Sequence, residues 1–216
     1  KGEIDNLSKI VKPETAVITN VSEAHFENFN TLQDIGKAKA EIINNILQGG
    51  NIILNKDSRF FSFLSNKARK KGINVVSFGV KKKADIFLLG IKKIRKYYRL
   101  KIIIKNKIFY FNTRYSTGNF INNILACISI LSALDLNLDK VKKKFTNFMI
   151  PNGRGDIKVV KKFKKKFKFI DESYNANPLS MISAINNMNY FKRKASTQKL
   201  VLLGDMLELG KKSRKL

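Results

Sequence analysis

Three short apolar runs, TAVITN (15–20), NIILN (51–55) and NVVSFG (74–79), are separated by stretches with helical spacing. This alternation constrains the fold more than any other feature of the 216 residues. Continuous apolar runs bounded by polar turns read as strands covered on both faces, and strands separated by helices pair in parallel. Thr31 stands where the first helix needs a cap, Asp34 follows three positions on, and Gly49-Gly50 ends the helix. SRFFSFLSNKARKKG (58–72) supplies the second helix. The pattern predicts an α/β protein with a mostly parallel, doubly wound sheet.

The alternation stops at 84–113, a stretch rich in Ile, Phe and Tyr with short polar breaks and no helical period. A small antiparallel β meander is expected there, with one turn near Asn106-Lys107. Helices resume over 118–136 and 138–148, and KFKFID (166–171) reads as a strand. A helix follows with Asn177 as cap and Pro178 in its first turn. KLVLLGD (199–205) reads as a further buried strand, after a Lys-rich link at 192–198. A domain boundary is expected in that link, giving one domain over 1–191 and the start of another over 192–216.

Charge limits the partners. Lys and Arg number 43 against 16 Asp and Glu, a formal net charge of +27 that suits nucleic acid. The excess is mostly lysine and is spread along the chain, and Lys, Asn and Ile are abundant together, the bias of an AT-rich genome. The densest run, KKFKKKFKF (161–169), reads as a solvated strand with one apolar face, so no specific nucleic acid is expected. No apolar run approaches the ~18 residues of a membrane span. The single cysteine, Cys127, excludes an internal disulfide, and no signal peptide follows Lys1, both of which fit the cytoplasm.

Four stretches carry chemistry. ITNVSEAH (18–25) ends in the sole histidine, His25, just past the first strand. A lone histidine is commonly a satisfied bystander; at a strand end it is equally placed to ligate a metal. In the helix that follows, Ile35, Lys39, Ile42 and Ile46 fall on one face, while Lys37 lies elsewhere and can pair with Glu41. A lysine in line with three isoleucines either snorkels to solvent or has its amine paired or modified beside a metal or phosphate. STGNFINNILA (116–126) places Asn119 and Asn122 on one face of a first helical turn, suited to a purine edge or ribose-phosphate. PNGRGD (151–156) displays Arg154 between glycines, either an ordinary turn or a phosphate contact. FIDESYNANP (169–178) puts Asp171 and Glu172 at the carboxyl end of a strand, where open α/β sheets bind ligands. No G-x-x-x-x-G-K-[ST] phosphate loop occurs.

In their order and wording, ITNVSEAHFENF, DIGKAKAEI, GNFINNILA, GRGD, DESYNANPLSM and LVLLGDMLELG resemble the Mur ligases. SYNANP and GDMLELG point to the branch that adds D-alanyl-D-alanine rather than to the related folylpolyglutamate synthases. The resemblance spans residues 2 to about 210. It implies the central ATPase domain of a three-domain, monomeric enzyme of cell-wall synthesis, its phosphate loop preceding Lys1. That enzyme uses ATP and Mg2+ to join D-alanyl-D-alanine to a UDP-N-acetylmuramoyl-tripeptide through an acyl phosphate. By position, the resemblance implies His25 as a magnesium ligand and Lys39 as a lysine carboxylated on its amine to hold magnesium. It implies Asn119 and Asn122 at the adenine, Arg154 at the phosphates, Glu172 at the ribose, and Tyr174, Asn175 and Asn177 in the nucleotide-side loop. Two positions depart from the family: Gly118 stands for a usual histidine, and Glu172 for a usual aspartate one methylene shorter. A chain without the phosphate loop and sugar domain is expected not to turn over alone.

Overall fold

The computed structural model describes residues 2–22, 29, 31–162, 164–190 and 198–206. They group into two compact units, Lys1–Val21 with Leu32–Phe148, and Ser22–Thr31 with Met149–Leu216.

In the first unit, β1 (Thr15–Ile18), β2 (Asn51–Asn55) and β3 (Asn74–Gly79) pair in parallel in chain order. β4 (Ile86–Ile94) continues the parallel run through Phe78↔Ile86 and Gly79↔Phe87. It then turns antiparallel with β5 (Tyr97–Ile104), which pairs with β6 (Lys107–Thr113). The meander therefore extends the parallel sheet, giving six strands in the order β1-β2-β3-β4-β5-β6. The β5–β6 turn is centred on Lys105 and Asn106, with φ of 46° and 63°, one residue earlier than Asn106-Lys107. Two successive left-handed residues match the twist of a two-residue hairpin.

Alternation along β2 explains why the sheet is covered twice. Ile53 faces one side, Ile52 and Leu54 the other, and all three are buried. Ile53 belongs to a cluster with Ile121, Ile124, Leu125 and Ile128 of α4 (Gly118–Ala133), whose spacing is one helical face. Phe78, Leu100, Ile102, Ile104 and Phe111 complete that core. The opposite side of β2 and β3 is met by α3 (Phe61–Lys70). The doubly wound α/β class expected from the apolar runs is the architecture observed.

The helix after Thr31 behaves differently from its expected length. α2 runs only Leu32–Lys39 and tightens into a 3-10 turn over Ala40–Asn45. Burial then follows a spacing of three, with Ala40, Ile43 and Ile46 in the core, where a helical period predicts Ile42. The expected Lys37–Glu41 pair does not form. Glu41 instead caps α1 (Glu3–Val11): its carboxylate accepts from the Gly2 N–H at 2.9 Å and 3.1 Å and from the Asp5 N–H at 3.3 Å. Helix N-termini carry orphan N–H groups and partial positive charge, and a carboxylate from a distant segment answers both. On α1 it is Ser8 that is buried, while Leu7, Ile10 and Val11 are exposed.

The second unit holds a hairpin, β7 (Asp156–Lys162) with β8 (Lys165–Asp171), and α6 (Pro178–Asn187). KKFKKKFKF is therefore not one strand, because Lys161 pairs back with Lys166 across the hairpin. KLVLLGD is also corrected: residues 199–205 adopt no regular structure, and Leu200, Leu202 and Leu203 are exposed. A strand requires a partner ladder, and no described element supplies one to this run. Among the described residues no helix is long and apolar enough to cross a membrane.

Candidate functional site

The first unit contributes the Lys39 pocket. Lys39 is the last residue of α2, and Thr19-Asn20 is where the chain leaves β1. Lys39 Nζ donates to the Asn20 carbonyl at 2.7 Å. Ile4, Val17, Ile18, Thr19 and Ile42 line the cavity around them. Burial among these walls lowers the Lys39 pKa from the ordinary lysine value. The lysine in line with isoleucines is thus half-buried and tied to one carbonyl at a strand end, not extended to solvent. His25, expected beside it, lies outside the described residues.

α4 contributes the second feature. Thr117 precedes it in an extended conformation, with φ −66° and ψ 146°, and places Asn119 and Asn122 in the first two turns. Asn119 is on the exposed side. Asn122 Oδ1 is buried without a hydrogen-bond partner. A buried carbonyl left unpaired is costly, and among the described residues no donor offsets that cost.

The second unit builds a knot from PNGRGD and DESYNANP. The turn closes through Arg154 N–H to Pro151 O at 3.2 Å. Gly155 N–H donates to Asp171 O at 2.6 Å, and Tyr174 N–H to Gly153 O at 3.0 Å. Asp156 Oδ1 accepts from Gly153 N–H at 2.8 Å, and its other oxygen pairs with Lys158 at 3.0 Å. Gly153 and Gly155 have φ of 75° and 92°, and a Cβ at Gly155 would stand 2.9 Å from Glu172 Oε1. The positive φ values favour glycine at both positions, whereas the Glu172 carboxylate could swing away from a Cβ. The close approach expected of these glycines is to the strand-end residues of this same chain.

This packing sets the acid chemistry. Glu172 is exposed as a residue, yet its carboxylate end is tucked against Gly155. That desolvation, then the charges of Asp171 and Asp156, push its pKa above the ordinary glutamate value. Asp156 is held low, first by its hydrogen bond to Lys158. Below pH 4.5, the ordinary glutamate value, Glu172 is protonated folded and unfolded alike and costs nothing; as pH rises the unfolded state ionises first and folding stability falls. Glu172→Gln is therefore expected to raise the thermal midpoint at pH 7, with the gap closing near pH 4. Equal midpoints at pH 7 would count against the buried carboxylate.

Arg154 lies with its guanidinium carbon 4.0 Å from the centre of the Tyr174 ring. Asn177 caps α6: its Oδ1 accepts from Ser180 N–H at 2.9 Å, and the Asn177 N–H donates to Ser180 Oγ at 2.9 Å. Asn175 is exposed in the loop between them. The second unit thus gathers Arg154, Glu172 and Tyr174, while Lys39, Asn119 and Asn122 stand on the first. Sequence reasoning missed the Asn20 carbonyl, which no side-chain pattern can reveal. It also passed over Asp156, the last residue of GRGD.

Residues 1–131 match the family described as the Mur ligase middle domain. The UDP-N-acetylmuramoyl-tripeptide--D-alanyl-D-alanine ligase of Rickettsia prowazekii is 31% identical over 217 residues, covering 100% of this chain and 47% of that protein. The solved MurF of Acinetobacter baumannii superposes with a TM-score of 0.86 at 27% identity, over 100% of this chain and 45% of that one. MurF of Thermotoga maritima, solved in complex with ADP, superposes with a TM-score of 0.82 at 26% identity, over 99% of this chain and 47% of that one. The chain thus spans about half the length of the relatives it matches.

Proposed function

Because the chain belongs to the Mur ligase family, we propose that it forms the nucleotide-handling part of a cytoplasmic, monomeric ligase that joins D-alanyl-D-alanine to a UDP-N-acetylmuramoyl-tripeptide. The observation that carries this reading is its likeness, along its whole length and in both sequence and fold, to ligases of that one specificity. The ADP bound to the Thermotoga relative supports ATP as the energy source. Residues 1–191 make up the nucleotide domain in this reading, and 192–216 open the next one. The uncovered leucines 200, 202 and 203 suit a segment that packs within another domain.

The chemistry is two displacements. A tripeptide carboxylate oxygen attacks the γ-phosphorus of ATP, and ADP leaves. The D-alanyl-D-alanine amine then attacks the acyl carbon; phosphate leaves and the amine proton passes to solvent. Such reactions are accelerated by positioning and charge neutralisation. Arg154 meets the phosphates with its planar donors. Asn119 and Asn122, in the first two turns of α4, stand for the adenine side. Glu172 meets the ribose, and Tyr174, Asn175 and Asn177 belong to the loop on the nucleotide side.

Magnesium fits the donors in one form only. As a free amine Lys39 donates a hydrogen bond and cannot ligate a cation, and the described residues hold no group of three or more His, Cys, Asp or Glu that could do so. Carboxylation of the Lys39 amine turns it into an oxygen donor, and with His25 it would hold Mg2+ where the ion neutralises phosphate charge. The lowered Lys39 pKa favours this, since the neutral amine is the form that attacks carbon dioxide.

A chimera tests the reading. This chain, spliced into the Rickettsia ligase in place of the matching 217 residues, is expected to turn over ATP repeatedly only when both tripeptide and D-alanyl-D-alanine are present. A folded, soluble chimera that ligates neither D-alanyl-D-alanine nor any other dipeptide would sink it.

A further inference from the structure

We propose that Tyr174 is a positioning residue, whose ring holds the Arg154 guanidinium in place with its donors unspent for a phosphate. The inference rests on the nucleotide reading above and assigns Tyr174 to the arginine rather than to the nucleotide. Three observations support it. The guanidinium carbon lies 4.0 Å from the ring centre, a stacking distance. Stacking uses the faces of both groups and leaves the five in-plane N–H donors pointing outward. An ion pair would consume those donors and neutralise the charge.

Two of the nearby carboxylates are engaged elsewhere. Asp156 is taken by Gly153 N–H and Lys158, and Asp171 Oδ1 by Ser173 N–H and Oγ at 3.1 Å and 2.6 Å. Glu172 is tucked against Gly155. Among the described residues no ion pair involves Arg154.

The stack is also anchored from behind. Tyr174 N–H donates to Gly153 O at 3.0 Å, so ring and guanidinium spring from backbone segments already joined. Gly153 has φ 75°, which L side chains rarely adopt, and a Cβ there would come within 3.1 Å of Tyr174 N, so glycine favours the approach. Tyr174 is 65% exposed, and among the described residues nothing bonds to its hydroxyl. The ring alone is the working part.

The test uses the full chain, with ATP and adenosine as probes and the Arg154 δ-methylene proton shift as a report on the stack. An upfield ring-current shift is expected in the wild type, is lost in Tyr174→Leu and is restored in Tyr174→Phe. Tyr174→Leu is expected to weaken ATP about 2- to 5-fold, the range for an exposed cation–π contact, and to leave adenosine unaffected. Tyr174→Phe restores ATP affinity. In an Arg154→Ala background Tyr174→Leu costs nothing further. Equal losses for ATP and adenosine, an undiminished cost without Arg154, or no ring-current shift in the wild type each overturn the positioning role. A wild type that binds ATP no better than adenosine overturns the nucleotide reading itself.

Discussion

Lys39→Ala is expected to lower ATP-dependent ligation by the Rickettsia chimera about 10²- to 10³-fold, the range for losing one preorganised charge-stabilising group. Added bicarbonate is not expected to restore it, because alanine offers no amine to carboxylate. The expectation follows from where the amine sits. It ends α2, reaches the Asn20 carbonyl at 2.7 Å, and is walled by Ile4, Val17, Ile18 and Ile42. Walls of that kind lower its pKa, raising the neutral fraction that forms the N–C bond to carbon dioxide with loss of a proton. Lys39→Met separates chemistry from folding. It fills the same volume without an ammonium, so its thermal midpoint should stay within a few degrees of wild type while activity falls as far as in the alanine variant. Wild-type turnover in either variant would remove Lys39 from the mechanism.

The second large effect is on stability. Phe111 is 1% exposed on β6 and meets Phe145 edge to face at 5.1 Å; Phe145 in turn meets Phe148 at 5.0 Å. Phe111→Ala removes the ring that joins the meander to the segment after α5 (Leu138–Val141). The loss combines transfer, cavity and edge-to-face terms, about 3–5 kcal/mol. Against a total stability of about 5–15 kcal/mol this is a large share. Urea unfolding followed by circular dichroism should show the midpoint falling with little change in slope. Phe111→Leu should recover more than half of the loss. A shift below ~1 kcal/mol for the alanine variant would mean the three rings do not form one packed unit.

How legible the fold was depends on what each element needs from elsewhere. NIILN and NVVSFG were readable to the residue, since a strand buried on both faces must be apolar throughout. Asn177-Pro178 was readable because a cap is local chemistry, and it is realised as a reciprocal box with Ser180. KLVLLGD carried the same apolar signal as NIILN and forms no strand. A strand belongs to a pair, and the pair is invisible in one segment. The lysine run misled in the opposite way: its alternation is real, but Lys164, with φ 55°, reverses the chain inside it. The 3-10 turn after Lys39 was hidden because Ile42 and Ile43 are both isoleucine, and only packing chooses between them. At the site, Lys39 and Arg154 could be named from residue type and motif. Their partners, a backbone carbonyl and the face of a ring, have no sequence signature.

Glu41 has a consequence for the pocket two residues before it. Ile4, on one wall, is carried by α1, and Lys39, on the other, by α2. The 3-10 turn that continues α2 holds α1 through three side chains: Glu41 grips the Gly2 and Asp5 amides, Asn44 and Asn45 donate to Asp5, and Asn45 donates to Ser8 Oγ. The cavity therefore has the mechanics of a clamp with three pins: the spacing of its jaws is shared among Glu41, Asn44 and Asn45 rather than set by one side chain.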